Sequence, residues 1–336
     1  MDFSKYTGEI AQELKAIIGT NSSEFYQMMR YHLGWVDESG NPLSSDTGKL
    51  LRPTLCLIAC KAVGGTTEKA LTAAAVIELV HNFSLIHDDI EDQSDYRRHR
   101  RTVWNLWGQA QAINVGDGMF SLCRLALLRL PNKGVTAQKV LDVIQMLDQA
   151  CVRLCEGQYL DMCFENRYDV SVDEYMQMIG KKTASLISCS LKTGAALGTD
   201  NDLSVQGLEQ FGWKLGIAFQ IQDDILGIWG AEDKTGKSIS DIAQRKKSLP
   251  IIYVLASEDN KCAGLIRSIY SKEIIGKDDV ARVNKALDAA GARDYCQKLA
   301  MAYFDKAISI LDNLQLDRQS QDELREIADF FIERDF

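Results

Sequence analysis

Two runs of aspartate close long apolar stretches in this chain of 336 residues. The first is DDIED, within ELVHNFSLIHDDIEDQSDYRRHR. On a helix turning about 100° per residue, Asp88 and Asp92 lie about 40° apart and Asp89 within about 100° of Asp88. Three carboxylates therefore crowd one face, and like charges that close either share a cation or force one group neutral. Hard oxygen ligands with few other donors suit Mg²⁺, which keeps waters and takes phosphate oxygens. The second run lies in GIAFQIQDDILGIWG, where Asp223 and Asp224 follow Phe219 and Ile221 and stand beside the uncharged amides Gln220 and Gln222. Each run alone reads equally well as a solvated acidic helix end. Two apolar helices that face each other and both end in Asp-Asp would bring five carboxylates into one cavity, which points to a multi-metal site.

Cations accompany the acids. Lys49 and Arg52 open a helix in TGKLLRP, Arg97 and Arg98 follow the first run within RRHRR, Lys182 precedes Thr183 in GKKTASL, Lys237 lies in TGKS, and Lys246 and Lys247 lie in RKKSLP. Singly these are solvated surface charges. Beside metal-binding carboxylates they suit a ligand carrying two or more phosphates. TGKS is not a Walker A loop, since the first glycine is missing at the required spacing and no strand precedes it. His81 lies two turns before Asp88, about 20° away on the wheel, so it shares the cavity-facing side.

The elements that must position these groups read as helices throughout. Apolar residues recur at three and four spacing, giving helices over 3–19, 22–34, 50–63, 67–92, 106–130, 135–166, 172–197, 203–230, 239–257, 261–271, 278–291 and 292–334. Thr66 or Thr67 caps the fourth, and SVDE from Ser171 to Glu174 is a capping box. Breaks fall at Gly64-Gly65, Pro131-Asn132, Gly198 and Gly230, and residues 35–48 form the clearest loop. No segment alternates long enough for a sheet, only four prolines interrupt the chain, and no linker divides it. The expectation is one all-α domain over 1–336.

Composition narrows the function. With 46% hydrophobic and 25% charged residues there is enough apolar surface to fold, which excludes disorder. A net charge of −9 argues against a general nucleic-acid grip. No run of about 18 uncharged apolar residues predicts a membrane span; even the stretch around Ala70–Val80 carries Glu78. The first residues lack an apolar or Arg-rich leader, and nine cysteines without a CxxC read as reduced core residues. Both point to the cytoplasm.

DDIED, FQIQDDILG, GKLLRP, KTASL and KKSLP, in the family's order between about Gly48 and Pro250, resemble the motifs of the trans-isoprenyl diphosphate synthases. The resemblance implies an all-α bundle around a deep central cavity, generally a homodimer, and Mg²⁺-dependent head-to-tail coupling of an allylic diphosphate with isopentenyl diphosphate. It implies Asp88, Asp89, Asp92, Asp223 and Asp224 as ligands of Mg²⁺, three ions in all, that hold the allylic diphosphate. Arg97, Lys182, Lys237 and Lys247 would contact that diphosphate directly. Lys49, Arg52, His81 and Arg98 would form the isopentenyl diphosphate site, and Thr183 and Gln220 would stand beside the developing carbocation. The sequence departs from the pattern at Gly227, where the second motif commonly has a third Asp, and at Leu50, where a basic residue is common. Chain length would be set four and five places before the first Asp, at Ser84 and Phe83; one aromatic there, with no insertion in the motif, resembles the archaeal-type C20 synthases. A terpene cyclase of the same fold and a non-catalytic partner subunit are the alternatives. Cyclases commonly lack the isopentenyl site and partner subunits tend to lose the Asp clusters, and both sets are present here.

Overall fold

The computed structural model describes residues 4–43, 50–230, 241–257 and 260–332. Lys49 and Lys237 lie outside them. The described chain groups into two compact units, one formed by Met1–Cys151, Cys189–Glu209 and Leu314–Leu324, the other by Val152–Ser188, Gln210–Asn313 and Arg325–Phe336.

The first unit is organised by one helix. Helices α1 (Ser4–Ile18), α2 (Glu24–His32) and α3 (Leu51–Ala62) precede α4 (Thr67–Glu91). From Ala70 to Val80 almost every side chain of α4 is buried, the pattern of a helix wrapped on all sides, and α1, α3 and α6 (Gln109–Leu127) pack on it. By length and composition α4 would also cross a membrane, but most of its apolar stretch is spent on this core. At its end a two-residue hairpin, β1 (Tyr96–Arg97) with β2 (Arg100–Arg101), leads into the short α5 (Val103–Trp107). The long α7 (Ala137–Phe164) follows α6, and the unit boundary falls within it.

In the second unit α8 (Val172–Ile179) runs through a π-helical turn (Gly180–Ala184) into the start of α9 (Ser185–Gly198), which belongs to the first unit from Cys189 onward. Helix α10 (Asp202–Trp229) carries the second acidic motif. The chain continues through α11 (Leu249–Ala256), α12 (Asn260–Tyr270), α13 (Lys277–Ala289), α14 (Ala292–Asp312) and α15 (Arg318–Ile332). The core of this unit joins Tyr175, Ile179, Ile217, Ile221, Leu249 and Ile252.

The all-helical expectation holds among the described residues, save the small hairpin. The capping box forms as read: Ser171 Oγ accepts from Glu174 N–H, and the Glu174 carboxylate accepts from Ser171 N–H. Thr66 is the N-cap residue of α4, without a side-chain cap bond. Three expected helices are interrupted. Gly108, at φ +84°, separates α5 from α6. The 292–334 run breaks after Asp312, because the Asp317 carboxylate takes the Ser320 N–H and hydroxyl and starts α15 afresh. Among the described residues of the 239–257 run, 241–245 form a turn and a helix begins at Leu249.

Small residues set the closest helix contacts. In the first unit Gly194 of α9 faces the α3 backbone so closely that a Cβ there would sit 2.0 Å from the Cys56 carbonyl oxygen. The neighbour is backbone and cannot rotate away. Gly194→Ala is expected to cost about 2 kcal/mol, the scale of overpacking a filled core, seen as a lower Tm by calorimetry. Gly264→Ala, on α12 with nothing within 4 Å of the added carbon, should leave Tm unchanged or slightly raised.

Candidate active site

The first acidic motif sits where a helix least favours it. Asp88, Asp89 and Asp92 occupy the C-terminal turn of α4, beside the negative end of the helix dipole, so the local preference is overridden for another purpose. The three acids are not equivalent. Asp89 is buried; its Oδ1 accepts from Arg97 Nε at 2.8 Å, while Oδ2 is buried with no hydrogen-bond partner. Burial pushes its pKa up to about 6, against the pull of Arg97. Asp88 is half-buried and Asp92 exposed, one turn apart.

Cations enclose the same region. Burial, then Arg52, Arg98 and Arg97, depress the His81 pKa well below its usual value. Burial followed by Arg97, Arg98 and Arg100 brings His32 to about 3. Both imidazoles are therefore neutral at physiological pH, packed amid concentrated guanidinium charge. The hairpin supplies much of that charge. Arg98 and His99 have φ of +50° and +60°, a two-residue turn of the twist that hairpins prefer and that normally calls for Asn-Gly. Left-handed backbone at two non-glycine residues costs roughly 1 kcal/mol or more each, and anchors hold it. Arg100 donates to the Tyr31 and Val36 carbonyls at 2.9 and 2.7 Å and lies 4.0 Å over the Tyr31 ring. Tyr31 OH donates to the Arg101 carbonyl. Within RRHRR, Arg100 and Arg101 thus fasten the turn while Arg97 and Arg98 present charge.

Below the motif on α4, Phe83 is buried against the Phe120 ring of α6 at 4.8 Å and edge-on to His87. Ser84 is buried with its hydroxyl on the His81 carbonyl.

The second unit builds its site around the π-turn, a backbone irregularity frequent at functional positions. Two glycines let it sit close to its neighbours. A Cβ on Gly157 of α7 would lie 2.3 Å from Lys182 N, and one on Gly216 of α10 would lie 2.6 Å from Ala184 Cα. The turn aims Lys182 Nζ at Asp161 Oδ2, 2.6 Å away, and the Thr183 hydroxyl at Gln220 Oε1, 2.7 Å away. Gln220 Nε2 reaches Asp224 Oδ1 at 3.0 Å. Asp224 is fully buried, and its other oxygen accepts from Tyr175 OH and Leu249 N–H at 2.6 and 3.1 Å. Burial raises its pKa to about 6, against these bonds and the charge of Lys246. Asp223 is half-buried.

Lys247 lies elsewhere than the resemblance implies. The motif assigns Lys247 to phosphate, but its ammonium donates to the Phe164 carbonyl at 3.0 Å and to the Arg167 carbonyl, and lies over the Tyr168 ring. It closes the C-terminal end of α7, and burial lowers its pKa to about 8. The neighbouring Lys246 faces the acids instead. Burial pulls its pKa down, but Asp241, Asp224, Asp223 and Asp161 outweigh that and hold it above the usual lysine range. Asp241, Asp161 and Tyr175 are neighbours of these groups that the motifs did not single out. The departure at Gly227 has a physical counterpart, since a Cβ there would sit 2.0 Å from Asp241 Oδ2. A carboxylate from the following turn occupies the space beside the missing side chain.

Among the described residues no three His, Cys, Asp or Glu side chains converge as a complete metal cage. Mg²⁺ does not require one, since it binds through one or two carboxylates together with water and substrate phosphate. Asp88 with Asp92 on α4, and Asp223 on α10, are hard donors at accessible or half-buried positions and fit it. Fully buried Asp224 does not.

An all-α chain whose two units each pair an acidic helix end with phosphate-seeking cations has the makings of a diphosphate-handling enzyme. The Polyprenyl synthetase family model matches residues 34–289. The chain is 35% identical to the geranylgeranyl diphosphate synthase of Methanosarcina mazei over 318 residues, 94% of this chain and 92% of that protein. It is also 35% identical to the (2E,6E)-farnesyl diphosphate synthase of Mycobacterium tuberculosis over 311 residues, 91% and 85% of the two. Its structure matches the polyprenyl synthetase of Streptomyces coelicolor with a TM-score of 0.91, at 35% identity over 98% of each chain. The chain belongs to the polyprenyl synthetase family, the trans-prenyltransferases.

The exchange of roles between adjacent lysines is directly testable. Lys246→Ala should lower kcat/KM for the allylic diphosphate by about 10²-fold, the scale for one lost electrostatic stabiliser, with Tm little changed. Lys247→Ala should act the other way, lowering Tm while leaving kcat/KM within about tenfold. Steady-state kinetics with calorimetry on both variants checks this.

Proposed function

We propose that the protein couples isopentenyl diphosphate head to tail to an allylic diphosphate and forms a linear trans-prenyl diphosphate, with geranylgeranyl diphosphate, C20, as its main product. What supports this reading is the concentration of charge on α4 and its hairpin: Arg97 donates to Asp89 at 2.8 Å, and burial, then Arg52, Arg98 and Arg97, lower the His81 pKa, on the helix that ends in the acidic triad. Guanidinium charge at that density calls for a polyanionic ligand. Arg52, Arg98 and His81, with Lys49, then serve isopentenyl diphosphate. Arg97, Lys182, Lys246 and Lys237 serve the allylic diphosphate. A cyclase would have no use for the first set.

In this reading Asp88, Asp92 and Asp223 hold Mg²⁺, which when bound neutralises charge on the diphosphate oxygens. The allylic C–O bond ionises and its electron pair leaves with diphosphate, where Lys182, Lys246 and Arg97 stabilise the developing charge. The allylic cation is then attacked by the alkene of isopentenyl diphosphate, forming the new C–C bond. Apolar side chains before each acidic motif keep water from that cation. The proton lost in restoring the double bond passes to the released diphosphate, so no side chain is needed as general base. Thr183 and Gln220 stand beside the cation.

Product length rests on α4, because overall identity is the same, 35%, to a C15 and to a C20 synthase. Phe83, packed on Phe120, is the proposed floor, and the small Ser84 leaves the last turn open. Purified protein given Mg²⁺, isopentenyl diphosphate and C5, C10 or C15 primers should yield C20. Phe83→Ala should give longer products and Ser84→Phe should shift them towards C15, read by mass spectrometry of the dephosphorylated alcohols. An unchanged distribution in both variants would remove Phe83 and Ser84 as determinants. A cyclic hydrocarbon, or no product, would reject the reaction itself.

The enzyme is proposed to act as a homodimer in the cytoplasm. Val152, Cys155, Tyr159 and Met162 form an exposed stripe on α7 at spacings of three and four, as a partner helix requires. All nine cysteines are free thiols, which suits a reducing compartment. Tyr159→Glu places a charge in that stripe and should convert the dimer to monomer in light scattering. A wild-type monomer at micromolar concentration would refute the assembly.

A further inference from the structure

We infer that Asp224 is a positioning residue: through Gln220 it dictates which way the Thr183 hydroxyl points. The inference rests on the prenyl-transfer reading, and it assigns Asp224 a task other than holding metal.

Three donors converge on a carboxylate that has no exposure. Oδ2 accepts from Tyr175 OH at 2.6 Å and Leu249 N–H at 3.1 Å, and Oδ1 accepts from Gln220 Nε2 at 3.0 Å. An ionised carboxylate only accepts, whereas an amide donates at one end and accepts at the other. Gln220 must therefore turn its NH₂ to Asp224 and its carbonyl to Thr183. That carbonyl oxygen, 2.7 Å from Thr183 Oγ1, cannot donate, so the threonine proton is committed to it. Thr183 is left presenting lone pairs to its remaining surroundings. Beside a developing allylic cation a lone pair is stabilising and an O–H dipole reversed in direction is not. Tyr175 and Leu249 fix the carboxylate, the carboxylate fixes the amide, and the amide fixes the hydroxyl. The backbone beneath Thr183 is held independently by the close approaches of Gly157 and Gly216, so the side-chain chain of bonds controls orientation rather than position.

Asp224→Asn breaks this logic without changing volume. The oxygen of the introduced amide remains with the Tyr175 and Leu249 donors, and its NH₂ then faces the Gln220 NH₂. Gln220 relieves the clash by flipping, and Thr183 must accept in place of donating. The single-turnover rate should fall by about 10²-fold. The Mg²⁺ concentration for half-maximal rate should stay within about threefold of wild type, since no ligand is lost. Calorimetric affinity for an inert allylic thiolodiphosphate with Mg²⁺ should likewise be unchanged. Gln220→Glu combined with Asp224→Asn restores the original direction, because the carboxylate introduced at 220 accepts both from the amide introduced at 224 and from Thr183. This double variant should recover to within about tenfold of wild type.

A tenfold or greater rise in the Mg²⁺ requirement of Asp224→Asn would make Asp224 a ligand and overturn the proposal. A double variant no faster than the single would also overturn it, as would a single variant with the wild-type rate. Should Asp224→Asn fail to fold, Tyr175→Phe removes one of the three donors. It should lower the single-turnover rate severalfold at unchanged analogue affinity, and an unchanged rate would count against the relay. If instead the wild-type protein makes no prenyl diphosphate, the reaction assignment fails, which these comparisons with wild type keep separate.

Discussion

A carboxylate inside an apolar helical core is tolerable only when donors or cations answer its charge, and that constraint organises both acidic motifs. Each begins with Asp-Asp on the last turns of a long buried helix, and in each the second aspartate turns inward. Asp89 goes to Arg97, and Asp224 goes to Tyr175, Gln220 and the start of α11. The first aspartate of each pair stays at a half-buried position. A paired Asp-Asp at a helix end thus yields one residue that builds and one left half-buried, about 100° of helix apart. The builder sets what comes next in the chain: Asp89 fastens the cationic hairpin, and Asp224 fastens α11 and the Gln220 amide.

The cationic side obeys a matching rule. Burial first, and then the neighbouring guanidinium groups, lower the pKa of both His81 and His32, so the imidazoles add polarity without adding to the repulsion. The left-handed turn at Arg98 and His99 is held by Arg100 and Tyr31. Strain of this kind persists only where surrounding contacts over-determine it, and here those contacts lie on α2 and at Val36 just beyond it, remote in sequence from the hairpin.

The helical class was legible because period-3.6 apolar spacing survives nearly everywhere, and the candidate site groups stood out because acids and cations at helix ends contradict the surrounding pattern. What periodicity missed was local. Nothing in apolar spacing marks the break at 313–317, where one Asp317 carboxylate captures Ser320 and restarts the helix. Lys246 and Lys247 are indistinguishable by type, and they lie in the non-helical lead into α11, where helical periodicity does not relate their side chains. One meets four carboxylates and the other meets the carbonyl end of α7. Motif order identifies the pair; only the backbone path decides between them.

Gly227 shows why a missing motif residue need not mean a missing charge. A side chain at that position would overlap Asp241, so the glycine and the acid are a matched pair: the helix gives up its third carboxylate and the following turn supplies one in the adjacent space. Asp241 N–H bonds back to the Gly227 carbonyl, and Asp241 Oδ2 lies 3.9 Å from Lys246 Nζ. The negative charge is thereby placed against the lysine that faces the other acids. The same turn then brings the Lys246 N–H to the Asp241 carbonyl, locking lysine and acid into one backbone unit. An aspartate at 227 would bring a second carboxylate beside Asp241 and repel it, so the Asp241 side chain would have to turn away to admit it.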